Sequence, residues 1–297
     1  SLAVTPQSPL DPELRQLSRP RGVVSYTDEG TSHRDGDAIV MIHGLPGSVR
    51  DYRWLESAVR ESSAGGLQSV RVVRLDMPGL GGTDLRLAEG HHDVESRARF
   101  VLDTLDAMGL ERVVLVGHSM GGGVTLAAAA LARKRNGVAV VGLCLVASVG
   151  NRPHKAYLRM PNPRPVGVLL KVPGMSRVLQ QPIYQSFVRG GFPASTPVSE
   201  CVQALRCVAA LRFETLAAAA SELSLRPLPA LVTYADDDPM VEPAVGEALV
   251  EALSAEELRF DEGGHNIQKT RATEIAEGLV RLGERAFGVP KELRKLA

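Results

Sequence analysis

At 297 residues, 44% of them hydrophobic, the sequence can bury one large α/β core, or one such domain carrying an insertion. Its 34 basic and 34 acidic residues cancel, which excludes a chain-wide polyanion-binding surface, and no apolar run reaches the ~18 residues of a membrane span. Three cysteines without paired spacing speak against a disulfide framework and fit a reducing, cytoplasmic compartment.

In chain order, the N-terminal residues lack the basic start and apolar centre of a signal peptide, and the missing initiator methionine leaves a removed targeting segment open. Residues 1–21 hold four prolines and read as an extended arm. A short strand over 23–27 is followed by a polar hairpin loop over 28–37 and a buried strand over 38–42. A helix over 51–62 and a strand over 70–75 come next. The spacing of Val94, Ala98, Val101, Leu102, Leu105 and Met108 predicts a helix over 93–108, capped by Asp93 and ended by Gly109. Strands over 113–116 and 140–147 flank a helix over 124–132. Residues 151–226 then break the alternation: no strand is evident, prolines crowd the first half, and helical pieces fall at 166–170, 177–187 and 198–223. This stretch reads as a helical insertion, a lid over the sheet. A strand over 230–234, a helix over 244–253, a strand near 258–260 and a helix over 272–287 complete the chain. Strand then helix, repeated, implies a mostly parallel sheet flanked by helices, built from 22–150 and 227–297.

The strand-to-helix junction at Gly117-His118-Ser119-Met120-Gly121 fits G-x-S-x-G. Glycines are needed there because a strand turning at once into a helix leaves no room for side chains beside the central residue. Ser119 is thereby exposed at the carboxyl end of the sheet, at a helix N-terminus that favours developing negative charge. A serine hydroxyl is a poor nucleophile unless a base takes its proton and a third group orients that base. Loops after later strands carry the acidic run Asp236-Asp237-Asp238 and His265.

The chain resembles the α/β-hydrolase superfamily in His43-Gly-Leu-Pro-Gly-Ser48, Asp76-Met-Pro-Gly-Leu-Gly-Gly82, Gly117-His-Ser-Met-Gly-Gly122, Asp238-Pro-Met-Val241 and Gly264-His265, in that order. The resemblance implies an α/β-hydrolase fold with a helical cap insertion. It also implies Ser119 as nucleophile, His265 as general base and then acid, and Asp238 as orienting carboxylate, because the family's acid-to-valine spacing selects the third aspartate. Asp236 and Asp237 read as turn or cap residues. Backbone N–H groups of Leu45 and Met120 would form the oxyanion hole, where loss of one donor costs ~3–4 kcal/mol. Relatives that are dehalogenases or epoxide hydrolases carry aspartate at the elbow, so serine here implies acyl transfer to water: hydrolysis of an ester, thioester or lactone, or of a carbon–carbon bond beside a carbonyl.

No cofactor or metal is expected. Gly79-Leu-Gly-Gly fails the dinucleotide spacing, Gly121-Gly-Gly lacks the Lys-Ser/Thr of a phosphate loop, and adjacent His91 and His92 diverge without a third ligand. His43 and His118 would pack and hydrogen-bond loops. The expected partner is a small, partly apolar molecule and not nucleic acid; oligomeric state is undetermined. The insertion offers Met160, Val168, Leu169, Leu170, Val172, Met175, Leu179, Tyr184 and Phe187 as apolar walls, and no acid occurs from Arg112 to Ser199. Its cations would either select an anionic substrate or merely solvate an outer face. Two other classes stay in view: an interfacial lipase with a basic lid, membrane association being the less favoured course, and a catalytically silent binding protein.

Overall fold

The apolar runs become strands that feed two cores at once. A computed structural model of the chain describes residues 13–32, 34–63, 71–88 and 91–288. The strands are β1 (Arg15–Arg19), β2 (Gly22–Glu29), β3 (Asp37–Ile42), β4 (Val72–Leu75), β5 (Arg112–His118), β6 (Ala139–Val146), β7 (Ala230–Ala235) and β8 (Glu256–Phe260). They form one sheet in the order β1-β2-β4-β3-β5-β6-β7-β8. The pairs from β4 to β8 are parallel, while β2 runs antiparallel to both β1 and β4.

Side chains alternate across each strand, so a parallel strand covered on both sides must be apolar at every position. In β5, Val113 and Leu115 enter one core while Val114 and Val116 enter the other; Leu143 and Leu145 of β6 part in the same way from Cys144 and Val146. The first core lies under helices α2 (Val94–Ala107) and α3 (Met120–Ala132), the second under α1 (Arg53–Ser63) and α11 (Ala272–Phe287). Asp93 caps α2 as expected, accepting the Ser96 N–H, and Gly109 follows it at φ +72°. Cys144, Cys201 and Cys207 are free and buried.

The sequence expectation fails in two places at this end of the sheet. The arm read over 1–21 is, in its described part, the edge strand β1; residues 1–12 lie outside the described residues, as does Val70. The loop 28–37 closes no hairpin, because both edges of β3 are taken by β4 and β5 and β2 pairs with β1 and β4 instead.

Between β6 and β7 lie α4 (Lys155–Arg159), α5 (Arg164–Leu169), α6 (Met175–Arg189), α7 (Val198–Ala210) and α8 (Phe213–Ser224); after β7 come α9 (Pro243–Leu253) and the short α10 (Ile267–Thr270). The single helix expected over 198–223 is two, broken where Leu211 is extended (φ −64°, ψ 130°). No glycine or proline marks the break. Cys201 and Val202 of α7 belong to a small core with α5 and α6, whereas Leu211, Phe213 and Leu216 belong to the main core, and one straight helix cannot serve both.

Polar side chains stitch the insertion to the sheet. Glu200 of α7 accepts the Gly81 N–H, and the buried Gln203 amide donates to Pro78 O and His92 Nδ1. Burial, then the neighbouring Arg206, Arg97 and Lys171, lower the His92 pKa to about 4. The unfolded chain therefore takes up this proton first, so the stability His92 contributes is complete above about pH 6.5 and is lost as pH falls toward about 4. On lowering the pH from about 7 to about 5, the melting temperature of the wild type should fall further than that of His92→Gln; equal falls in thermal melts would remove His92 from the joint's pH response.

Candidate active site

Strand β5 ends at His118 and α3 begins at Met120, leaving Ser119 alone in the turn at φ 53°, ψ −121°. A non-glycine residue in such a region costs about 1–3 kcal/mol and persists only where the surroundings impose it. A Cβ at Gly117 would lie 2.5 Å from Gly121 O and 2.6 Å from Gly122 Cα, and one at Gly121 would collide with Ile42 O. The serine is also pinned by its backbone: its N–H donates to Val146 O at 3.0 Å and its carbonyl accepts from Val149 N at 3.0 Å. The half-buried hydroxyl projects from the carboxyl edge of the sheet.

The loops after β7 and β8 bring Asp238 and His265 to that edge. His265 Nε2 lies 2.9 Å from Ser119 Oγ, and its Nδ1 lies 2.8 Å from Asp238 Oδ2. A carboxylate only accepts, so Nδ1 carries the proton and Nε2 is left to accept the serine hydroxyl. Asp238 is 1% exposed, and burial opposes its charge. Hydrogen bonds from His265 and from the N–H groups of Met240 (2.7 Å) and Val241 (3.0 Å) outweigh that and hold its carboxyl below the usual value. Met240 and Val241 N–H both meet Oδ1, which leaves Oδ2 for the histidine.

The neighbouring histidines hold loops, as the sequence suggests. His43 Nδ1–H donates to Gly44 O at 2.8 Å while its Nε2 accepts the Met77 N–H at 3.0 Å. His118 donates from Nε2 to the His265 carbonyl at 2.9 Å, and its ring centroid lies 4.9 Å from that of His265. Burial, and then repulsion from His265, lower the His118 pKa to about 3, so this ring stays neutral. The loop bearing Leu45 runs beside the serine: a Cβ at Gly44 would stand 3.1 Å from Ser119 Cβ. Among the described residues no hydrogen bond takes up the Leu45 N–H. The Met120 N–H opens α3 and so has no intrahelical acceptor.

One supporting residue escapes the sequence reading. Asp236 does sit in the turn, paired with Arg259 at 2.8 Å, but Asp237 reaches across to accept the N–H groups of Gly263 (2.9 Å) and Gly264 (2.7 Å), immediately before His265. Lys155 of α4 ties the insertion to the same region, its ammonium donating to Asp238 O and its N–H to Glu242 Oε2.

The apolar walls expected from the insertion are largely elsewhere. Leu170, Leu179, Tyr184 and Phe187 fill its own small core against α7, while Met160, Val168, Leu169 and Val172 face solvent. A cavity of about 990 Å³ does lie between α5, α7, α8 and the start of α2, lined by His92, Arg164, Lys171, Arg206 and Arg212 among others. Ser119, Asp238 and His265 are not among its lining, so it is distinct from the serine's surroundings.

Known proteins resemble this chain in sequence and in fold. Over 115 residues the chain is 34% identical to the dihydrolipoyllysine-residue acetyltransferase component of the acetoin cleaving system of Pseudomonas putida, a match covering 39% of this chain and 28% of that protein. Over 130 residues it is 31% identical to haloalkane dehalogenase 2 of Mycobacterium bovis, covering 43% and 41%. The chain thus spans less than half the length of these curated relatives. An alpha/beta hydrolase fold protein from Burkholderia ambifaria superposes with a TM-score of 0.67 at 17% identity, over 90% of this chain and 97% of that one, and so shares the fold. The family profile itself aligns with residues 39–277, from β3 through the serine elbow and His265 into α11, and the chain belongs to the alpha/beta hydrolase family.

Proposed function

We propose that the protein is a serine hydrolase that cleaves an ester, thioester or lactone, or a carbon–carbon bond beside a carbonyl, through an acyl-enzyme. The observation that carries this reading is the unbroken relay from Asp238 through His265 to Ser119, at 2.8 and 2.9 Å, on a serine held at positive φ. His265 takes the hydroxyl proton as Ser119 Oγ attacks the carbonyl carbon. The developing oxyanion turns toward the Leu45 and Met120 N–H groups, and the same imidazolium then protonates the leaving group. Water repeats the sequence to release the acid. Asp238 remains ionised throughout, fixing the tautomer and stabilising the cation.

Serine at position 119 separates this chemistry from that of the dehalogenase relative, for which the superfamily resemblance implies an elbow aspartate. The relay through His265 that joins Asp238 to Ser119 speaks against a silent binding protein. The insertion's cations lend little support to an anionic acyl group: Arg206 is bonded to Leu170 O, Lys155 to Asp238 O, and Arg159 and Arg177 are exposed.

A fluorophosphonate probe should label the wild-type protein on Ser119 and leave Ser119→Ala unlabelled; intact-mass spectrometry showing no adduct on folded wild type would sink the assignment. Asp238→Asn should lower kcat by about four orders of magnitude while leaving the fold intact. Asp237→Ala should act more mildly, lowering kcat by about a hundredfold or less with little change in KM, because it loosens the His265 loop without touching substrate. Unchanged kcat in Asp237→Ala would mean that the two glycine N–H groups position nothing.

A further inference from the structure

Six of the nine large apolar side chains exposed among the described residues fall within residues 158–178. Leu158 is 67% exposed, Val168 65% and Val178 66%, with Met160, Leu169 and Val172 also outward. Single exposed apolar residues are ordinary, but this concentration within a stretch of the insertion is not. The arrangement follows from the packing: α5 and α6 both lie on α7 and spend Val166, Leu170, Leu179 and Ile183 on the contact. Away from that contact α5 exposes Val168 and Leu169, Val168 also lining the cavity, while α6 exposes Val178 among Arg177, Gln181, Gln185 and Arg189.

The charges in this stretch are all of one sign. Arg159, Arg164, Lys171 and Arg177 alternate with the apolar residues, all four are exposed, and none makes an ion pair among the described residues. No aspartate or glutamate occurs between Arg112 and Ser199, so the acids nearest these elements come from elsewhere in the chain: Asp93 and Glu95 share the cavity lining with Arg164 and Lys171, while Arg159 and Arg177 are not part of it. Apolar side chains set among unpaired cations fit a surface with an apolar interior and a negatively charged face. No helix among the described residues is long and apolar enough to cross a membrane. Contact would therefore be peripheral.

We propose that the outward surface of residues 158–178 docks on an anionic lipid surface. The long arms of Arg159, Lys171 and Arg177 reach headgroup phosphates while Leu158, Val168 and Val178 enter the acyl boundary. The docking stands whatever the substrate.

Flotation of the purified chain with vesicles of phosphatidylglycerol and phosphatidylcholine tests this. The protein should float with these vesicles at low ionic strength, less at high salt, and stay behind with phosphatidylcholine alone. The triple variant Arg159→Gln, Lys171→Gln, Arg177→Gln should partition about a hundredfold more weakly, at about fivefold per basic side chain. Leu158→Ser with Val178→Ser should weaken it as well, and both variants should keep the wild-type melting temperature and fluorophosphonate labelling. Wild type that does not float with anionic vesicles, or that floats equally with neutral ones, overturns the proposal. So does lipid-free self-association in sedimentation that the same variants abolish, since a second copy of the chain would then be the occupant.

Discussion

Ser119 stands in a backbone conformation that an L-residue avoids, and much of the surrounding structure serves to keep it there. The buried strand β5 and the buried helix α3 meet with one residue between them. Gly117 and Gly121 remove the side chains that would push these elements apart, and bonds to Val146 and Val149 fix the turn from the side of β6. A fixed turn aims the hydroxyl, and the hydroxyl's position dictates where the loops after β7 and β8 must deliver their side chains.

Those loops hold one another in place through side-chain bonds. Asp238 uses one oxygen on its own loop, at Met240 and Val241, and the other on His265. Asp237, next to it, holds the loop that brings His265, and His118 holds that loop's carbonyl from beneath. The histidine is thus located by groups on three strands' ends before any substrate arrives, which is the preorganisation that the proposed acyl transfer needs.

How much of this is legible in the sequence depends on whether a residue's task is local. The elbow and the capped helix α2 are local: glycine spacing and an aspartate before a periodic run state them outright. The parallel strands were equally plain, because burial on both faces demands unbroken apolar runs. Strand β1 was hidden, since Arg-Gln-Leu-Ser-Arg at an exposed edge has no pattern to show. Asp237 was hidden because a turn and a clamp across 26 residues ask for the same side chain. The walls assigned to the insertion were misplaced for a related reason: helical spacing says that one face is apolar but not which neighbour it meets, and here much of it meets α7.

The division of α7 from α8 bears on how such an insertion can change. Helix α8 lies directly on α3, with Leu216 close to Gly123, so the last part of the insertion belongs to the floor beneath the serine's own helix. Remodelling residues up to Ala210 would disturb a minor core, the packing of Tyr157 and Val208 on the main one, and the bonds made by Lys155, Glu200 and Gln203. From Leu211 onward, divergence is constrained by the same packing that holds the elbow, so a lineage free to vary its outer helices would have to inherit α8 almost as strictly as the sheet.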